Sequence, residues 1–431
     1  MSPDAGIPTP RSRICGAGYD AGVSSENARS VRAAILLYGA MGLGFAIVLL
    51  RRLADPHEIA QTDFTAFYSG WWLILQGRGG ELYDVAAQRA AQHAILGDWQ
   101  FSGGLLAFLH PPHAAVAGVP LGFLAARLGE PVAFWVWTAA NVALLVDLAR
   151  GTSRLVGAAS PSARAVVATA LLAFFPVFLT FREGQVALLL AVAFLRLYLA
   201  TRDKRDVAAA GWLLVLSLKP QLLPIPIGLL VACRRFRTLA WGAGFGAAAM
   251  LVAAVVLGPG IFGRYLHGLG ALQTHLGNGA PVGMVNLRGL LVRVLGGDRA
   301  SVAAAIAFAA LGVGAVAFGI AGGRRGWGND KLPLAFAAAF GATLFLSPHL
   351  FVPDLALWVV PLGLAASASS PGSPSGIRFR RFALAWPIAL AVALALGAWP
   401  RLFVEAATGL GLVALLWILR MAGSGRPRPA P

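Results

Sequence analysis

Val31–Leu50 reads VRAAILLYGAMGLGFAIVLL, twenty residues carrying a single charge, at Arg32. A helix needs about 20 mostly apolar residues to cross a bilayer, so this stretch reads as a membrane span. It is too long for the apolar core of a signal peptide and lacks a small-residue cleavage site, so it is expected to stay attached as the first helix. Trp241–Leu257 and Leu402–Leu419 repeat the pattern. The composition agrees: of 431 residues 58% are hydrophobic and only 12% charged, with a mean hydropathy of +0.72. A soluble domain carries roughly 25% charged residues. A membrane β-barrel would show alternating segments of about ten residues, which the chain lacks. The sequence predicts an all-α integral membrane protein.

The net charge of +17 comes from basic residues dispersed in short loops. That is the pattern of the positive-inside rule rather than of nucleic-acid binding, and no nucleic-acid partner is expected. Arg29/Arg32, Arg150/Arg154/Arg164, Arg202/Lys204/Arg205, Arg234/Arg235/Arg237, Arg324/Arg325/Lys331, Arg378/Arg380/Arg381 and the Arg420–Arg428 tail fall on one side, taken as cytoplasmic. Twelve spans result, at about 31–50, 131–149, 164–181, 184–200, 206–218, 220–233, 238–258, 300–321, 332–346, 351–366, 382–398 and 402–421. Both termini are then cytoplasmic. Residues 1–30 form a disordered tail, 31–421 one membrane domain, and 422–431 a basic, Pro-rich tail. Pro111–Arg127 is expected to dip into the outer leaflet without crossing, opened by His110-Pro111-Pro112. The outer loop 51–130 holds seven acids and two amphipathic segments, about 64–76 and 85–96, expected to lie at the membrane interface with Trp71 and Trp72 engaging lipid. A second outer loop, 259–299, repeats the theme with Ile261–Leu276 and Leu287–Leu295.

On this topology the polar residues at the membrane edge gather on the outer side: Asp63, His110, His113, Arg182, Glu183, Gln185, Lys219, Gln221, Asn286, Arg288, His349 and Asp354. Charges at that depth are costly and usually functional. Asp63 precedes an apolar helix and reads equally as its N-cap or as a general base. Arg182-Glu183 sits in a very short link, where Arg either snorkels to the interface or binds a phosphate oxygen. Lys219-Pro220-Gln221 breaks an apolar run, leaving Lys219 to snorkel or to meet a lipid-linked phosphate. Ser347-Pro348-His349 shares a tight loop with Asp354 and reads as either packing or function. His110 and His113 lack a Cys or close acid to complete a metal set, so no metal is expected. Cys15 and Cys233 supply neither a disulfide framework nor a metal spacing. Gly242, Gly244 and Gly246 lie inside a span and serve helix packing rather than dinucleotide binding.

An ordered set of short motifs resembles glycosyltransferase family 87, a branch of the GT-C superfamily. It runs Asp63-Phe64 with Phe67-Tyr68, Leu82-Tyr83-Asp84, His110-Pro111-Pro112 with Pro120-Leu121, Gly184-Gln185, Lys219-Pro220-Gln221, and Ser347-Pro348-His349 with Asp354. The resemblance covers about residues 60–365. It implies a GT-C fold with an extracytoplasmic site in a bacterial inner (plasma) membrane. The implied donor is a polyprenyl-phosphate sugar, often mannose, with no other cofactor. The implied acceptor hydroxyl belongs to a glycolipid, a glycan or a protein. The resemblance makes Asp63 the base of an inverting transfer and has Lys219, Arg182 and His349 stabilise the polyprenyl-phosphate leaving group. Tyr68, His110, Gln185, Gln221, Asn286 and Asp354 complete the implied site. Two departures stand out: many relatives carry an aromatic where His349 follows Pro348, and no second acid adjoins Asp63 in sequence. The competing readings are a multispan transporter or lipid flippase, which the edge-located charges and lack of an inverted repeat disfavour, and a non-catalytic scaffold that keeps the fold.

Overall fold

The structure, a computed structural model, describes residues 25–99, 101, 104–275, 280–325, 331–369, 373–396 and 401–423. Most of both expected tails, and Cys15, lie outside these residues. Among the described residues every regular element is a helix.

Five helices are long and apolar enough to cross a membrane: Ala28–Leu53, Glu130–Leu155, Phe236–Leu257, Gly297–Ala321 and Arg401–Gly423. Pro161–Leu172 and Phe175–Arg182, bent by 56° at their break, make a sixth if they act as one span. The twelve expected spans are not reproduced by this measure, for a physical reason. Several of them fold as short helices: Asp206–Leu216, Pro224–Ala232, Leu332–Leu346 and Val359–Ala368. An 11-residue helix such as Asp206–Leu216 reaches only about 16 Å, against a hydrocarbon core about 30 Å thick. Prolines set several of the breaks, with Pro220 and Pro224 between the first two and Pro348 and Pro353 between the second two.

Long and short helices differ in where their apolar side chains go. Leu36, Leu43 and Leu50 on the first helix, Leu251 and Val255 on Phe236–Leu257, and Val313 and Val316 further on are all exposed. Outward-facing apolar surface on this scale is what lipid covers. Leu332–Leu346 and Ala187–Arg202 are instead buried on nearly every face, with Phe194 stacked on Phe340 at 4.1 Å between centroids. A helix apolar all round belongs inside. The interior is therefore built of short helices, and their broken ends leave backbone groups free to be used by side chains.

A second core joins Phe64, Trp71, Leu82, Phe108, Phe134 and Leu257. Here the expectation of an interfacial helix at 64–76 is corrected. Phe64–Leu75 forms, but Phe64 through Trp71 are all buried, because Pro112–Leu128 packs along it. A Cβ on Gly118 would lie 2.1 Å from Trp71 Nε1, and one on Gly122 would lie 2.4 Å from Trp71 Cβ. Trp71 thus fills the helix–helix contact instead of facing lipid, while Trp72 packs against Leu73, Ala87 and Ala91. Gly118→Val is expected to cost about 1–3 kcal/mol by overpacking, read as a lowered Tm of the purified protein; an unchanged Tm would show that the indole can move aside. Val85–Leu96, Ile261–His275 and Leu287–Leu295 form close to where the sequence placed them, and Pro112–Leu128 opens at the expected prolines.

Candidate active site

Asp63 stands at the N-terminus of Phe64–Leu75 but does not cap it. Its backbone is already helical (φ −61°, ψ −17°) and its carboxylate makes no hydrogen bond to that helix. The side chain turns to Gln185 instead, whose Nε2 donates to Asp63 Oδ2. Gly184 makes this meeting possible. Its φ of +65° ends the Phe175–Arg182 helix in a left-handed turn, and a Cβ there would sit 2.9 Å from Phe64 Cβ and 3.0 Å from the Phe134 ring. The turn is fixed by Trp137 Nε1 donating to the Gly184 carbonyl at 2.9 Å. Only glycine lets this turn press on Phe64, and the pressing brings Gln185 to Asp63.

Burial raises the Asp63 pKa above the usual carboxylate range. The Gln185 hydrogen bond and the charges of Lys219 and Arg182 act against that rise, and Asp354 adds to it. A second acid adjoins it in space. Glu183 pairs with Arg182 at 3.1 Å. Its pKa is pushed up to about 7, by burial first and by the Asp63 charge second, while Arg182 and the Asp63 backbone N–H oppose the rise. Asp63 therefore has the acidic neighbour that its sequence surroundings lacked.

Lys219 and Asp354 form a buried ion pair, Nζ to Oδ1 at 2.5 Å. Asp354 also accepts from the Phe351 N–H at 3.4 Å, so it holds Lys219 while tightening the 3₁₀ turn Val352–Trp358. Both groups act electrostatically on Asp63, His110 and His349. The His110 Nδ1 lies 3.0 Å from the Leu218 carbonyl. A carbonyl only accepts, so that nitrogen carries the ring proton and Nε2 keeps a lone pair. Burial, and then the Lys219 charge, lower the pKa of both His110 and His349 to about 4, so neither ring is charged at neutral pH. Phe67, one turn along the helix from Asp63, packs on the His110 ring at 4.9 Å and links the two halves of the site.

The segment leading to His110 is extended and is held by side-chain amides. Gln88 accepts from the Phe108 N–H at 2.8 Å and donates to the Phe108 carbonyl at 3.2 Å. Gln92, one turn later, does the same for Leu106, accepting at 3.1 Å and donating at 2.5 Å. Two glutamines at i, i+4 thus pair with alternate residues as a neighbouring strand would. Tyr83 Oη completes the hold by donating to the His110 carbonyl at 2.7 Å.

The remaining predicted residues divide into supports and outliers. Gln221 Nε2 donates to the His349 carbonyl at 3.3 Å, and Arg288 to the Pro348 carbonyl at 3.3 Å. Asn286 is fully buried; it caps Leu287–Leu295 through the Gly289 N–H and donates to the Ser347 carbonyl at 2.8 Å. Its amide supports the His349 loop. Tyr68 lies in the second core, in the field of Glu130. Sequence reasoning missed the clamp by Gln88 and Gln92, although two glutamines four apart in an Ala-rich helix were a visible signal. No local signal announced that Glu183 would meet Asp63. Among the described residues no three His, Cys, Asp or Glu side chains gather as metal ligands.

Comparison with protein families matches residues 108–353, more than half of the chain, to the description Glycosyltransferase family 87. The chain belongs to glycosyltransferase family 87. No curated protein and no solved structure matches it. As a member of family 87 it is a membrane glycosyltransferase, which sets aside the transporter and flippase readings. The matched span contains His110, Arg182, Glu183, Gln185, Lys219, Gln221, Asn286 and His349, whereas Asp354 is the residue after its end and Asp63 lies well before its start. The structure joins both to family 87 residues directly, Asp63 to Gln185 and Asp354 to Lys219.

Proposed function

We propose that this enzyme transfers a sugar, a hexose such as mannose, from a polyprenyl-phosphate donor to an acceptor hydroxyl at the extracytoplasmic face of a bacterial inner membrane, with inversion. The observation that supports the reading is the Asp63 carboxylate, turned off its own helix and held by Gln185 in the field of Lys219 and Arg182. In this reading Asp63 takes the acceptor proton as the acceptor oxygen attacks the anomeric carbon. The bond from that carbon to the phosphate oxygen breaks, and its electron pair leaves on the polyprenyl phosphate. Lys219 has three N–H donors, of which Asp354 takes one, so the others can meet phosphate oxygens. The lone pair on His110 Nε2 suits a sugar hydroxyl, and His349 shares the field of Lys219 and His110.

The same reading makes residues 31–421 one membrane domain with both termini cytoplasmic, the short interior helices pairing to complete crossings. Its partners are the lipid-linked donor, the acceptor and membrane lipids. The test supplies the purified enzyme in lipid nanodiscs with radiolabelled polyprenyl-phosphate mannose and a panel of hydroxyl acceptors. Labelled product of inverted anomeric configuration, with release of polyprenyl phosphate, is the expected result. Transfer from a nucleotide sugar alone, or retained configuration, would sink the proposal.

Asp63→Asn is expected to lower the pKa of Glu183 from about 7, because the Asp63 charge that helps hold it up is removed while Arg182 stays paired with it. Difference infrared spectroscopy of the carboxyl band across pH, variant against wild type, checks this. A Glu183 titration that stays in place, or moves up, would disconnect the two carboxyls.

A further inference from the structure

A set of polar groups borders Asp63, and of them only Arg182 and Glu183 have figured above, through their charges. Arg52, Glu58, Gln61, Thr62, Arg182 and Glu183 line a polar cavity of about 120 Å³. They come from the end of the first helix, from the short turn Pro56–Ala60 and its following residues, and from the link after Phe175–Arg182. The charges pair across the cavity: Arg52 with Glu58 at 3.3 Å, and Arg182 with Glu183 at 3.1 Å. Side-chain exposure falls from 47% and 41% at Arg52 and Glu58 to 21% at Glu183, so the first pair forms the mouth and Glu183 the floor. That floor faces the Asp63 backbone N–H.

The geometry points to this cavity as the acceptor subsite, taking an uncharged sugar terminus, whether a glycan or a glycolipid carries it. The inference rests on the glycosyltransferase reading above and narrows its acceptor. Above about pH 7, where Glu183 is ionised, two guanidinium groups and two carboxylates cancel in charge, so neither an anionic nor a cationic ligand is favoured as a whole. Each charge still offers strong directed hydrogen bonds. A vicinal diol both donates and accepts, and so satisfies a carboxylate and a guanidinium together. Thr62 gives its hydroxyl proton to the Ile59 carbonyl at 2.7 Å, which leaves its oxygen to accept from a sugar hydroxyl. A hydroxyl seated on Glu183 then lies next to Asp63, where the acceptor proton has to be removed.

The test measures binding of three probes to the full chain in lipid nanodiscs without donor, by calorimetry at a pH at least one unit above the Glu183 pKa of about 7: octyl mannoside, octyl glucuronide and a serine-containing peptide. Octyl mannoside is expected to bind at least about tenfold more tightly than either other probe, and Glu58→Gln to weaken it by about tenfold, with Glu58→Asp restoring part of the loss. Because exposed ion pairs add little to stability, Glu58→Gln should fold; the wild-type ranking of the three probes tests the subsite even if it does not. Glucuronide or peptide binding as tightly as the mannoside, or a Glu58→Gln variant binding like wild type, overturns the subsite. Glycoside binding that Glu58→Gln weakens, in an enzyme that never consumes polyprenyl-phosphate mannose, would instead overturn the donor reading and leave the sugar site standing.

Discussion

Asp63→Asn is expected to slow sugar transfer by about 10²–10⁴-fold, the range a positioned general base contributes. The replacement keeps the shape of the side chain, and its amide oxygen can still accept from Gln185, so the turn at Gly184 is retained. It also removes a carboxylate whose burial opposes ionisation, so stability should hold or rise. Loss of rate at an unchanged or higher Tm would separate a chemical role from a structural one. The measurement is single-turnover release of polyprenyl phosphate alongside a thermal melt. Near-normal turnover would remove Asp63 from the chemistry and reopen the choice of base, with Glu183 the nearest alternative.

Lys219→Met carries the other large effect, and it acts on two quantities at once. The side chain of Asp354 is only 5% exposed and that of Lys219 12%, so the variant leaves a buried carboxylate unpaired. Breaking such a pair costs about 3–5 kcal/mol, whereas replacing both partners by apolar groups is often close to neutral. Lys219→Met/Asp354→Leu is therefore expected to regain most of the lost Tm. Activity should not return with it. If Lys219 stabilises the departing phosphate, both variants stay about 10²–10³-fold slower than wild type, as when one preorganised donor is removed. Activity that recovers in step with Tm would make the ion pair a structural brace and nothing more.

The long helices were legible because lipid and protein interior ask different things of a sequence. Val31–Leu50 and Trp241–Leu257 are uninterrupted and largely face outward, and Leu402–Leu419 is uninterrupted with one face buried, so their length and apolarity could be read directly, and each falls within an observed helix. The short interior helices are equally apolar, and hydropathy alone could not tell a crossing from a buried piece about half as long. The helix at 64–75 misled in another way. Its aromatic residues suggested a membrane interface, yet the Gly118 and Gly122 notch that receives Trp71 lies in a different helix. The site residues on helix breaks were visible as polar exceptions in apolar runs, and the structure brings Lys219, Asp354, His110 and His349 into one electrostatic group. The partnership of Asp63 with Gln185 and Glu183 spans about 120 residues of chain and depends on one left-handed glycine. No local pattern encodes that.

The supports of the His349 loop carry a consequence for how the molecule is made. Asp63 is synthesised early, Gln185 and Lys219 midway, and Asp354 late. Asn286, Arg288 and Gln221 reach forward to the carbonyls of Ser347, Pro348 and His349, which do not yet exist when those side chains leave the ribosome. A nascent chain halted before residue 354 therefore holds a carboxylate without the buried ion pair beside it. On the proposed function such an intermediate holds only a fragment of the machinery, so transfer waits until the last of these segments is in place.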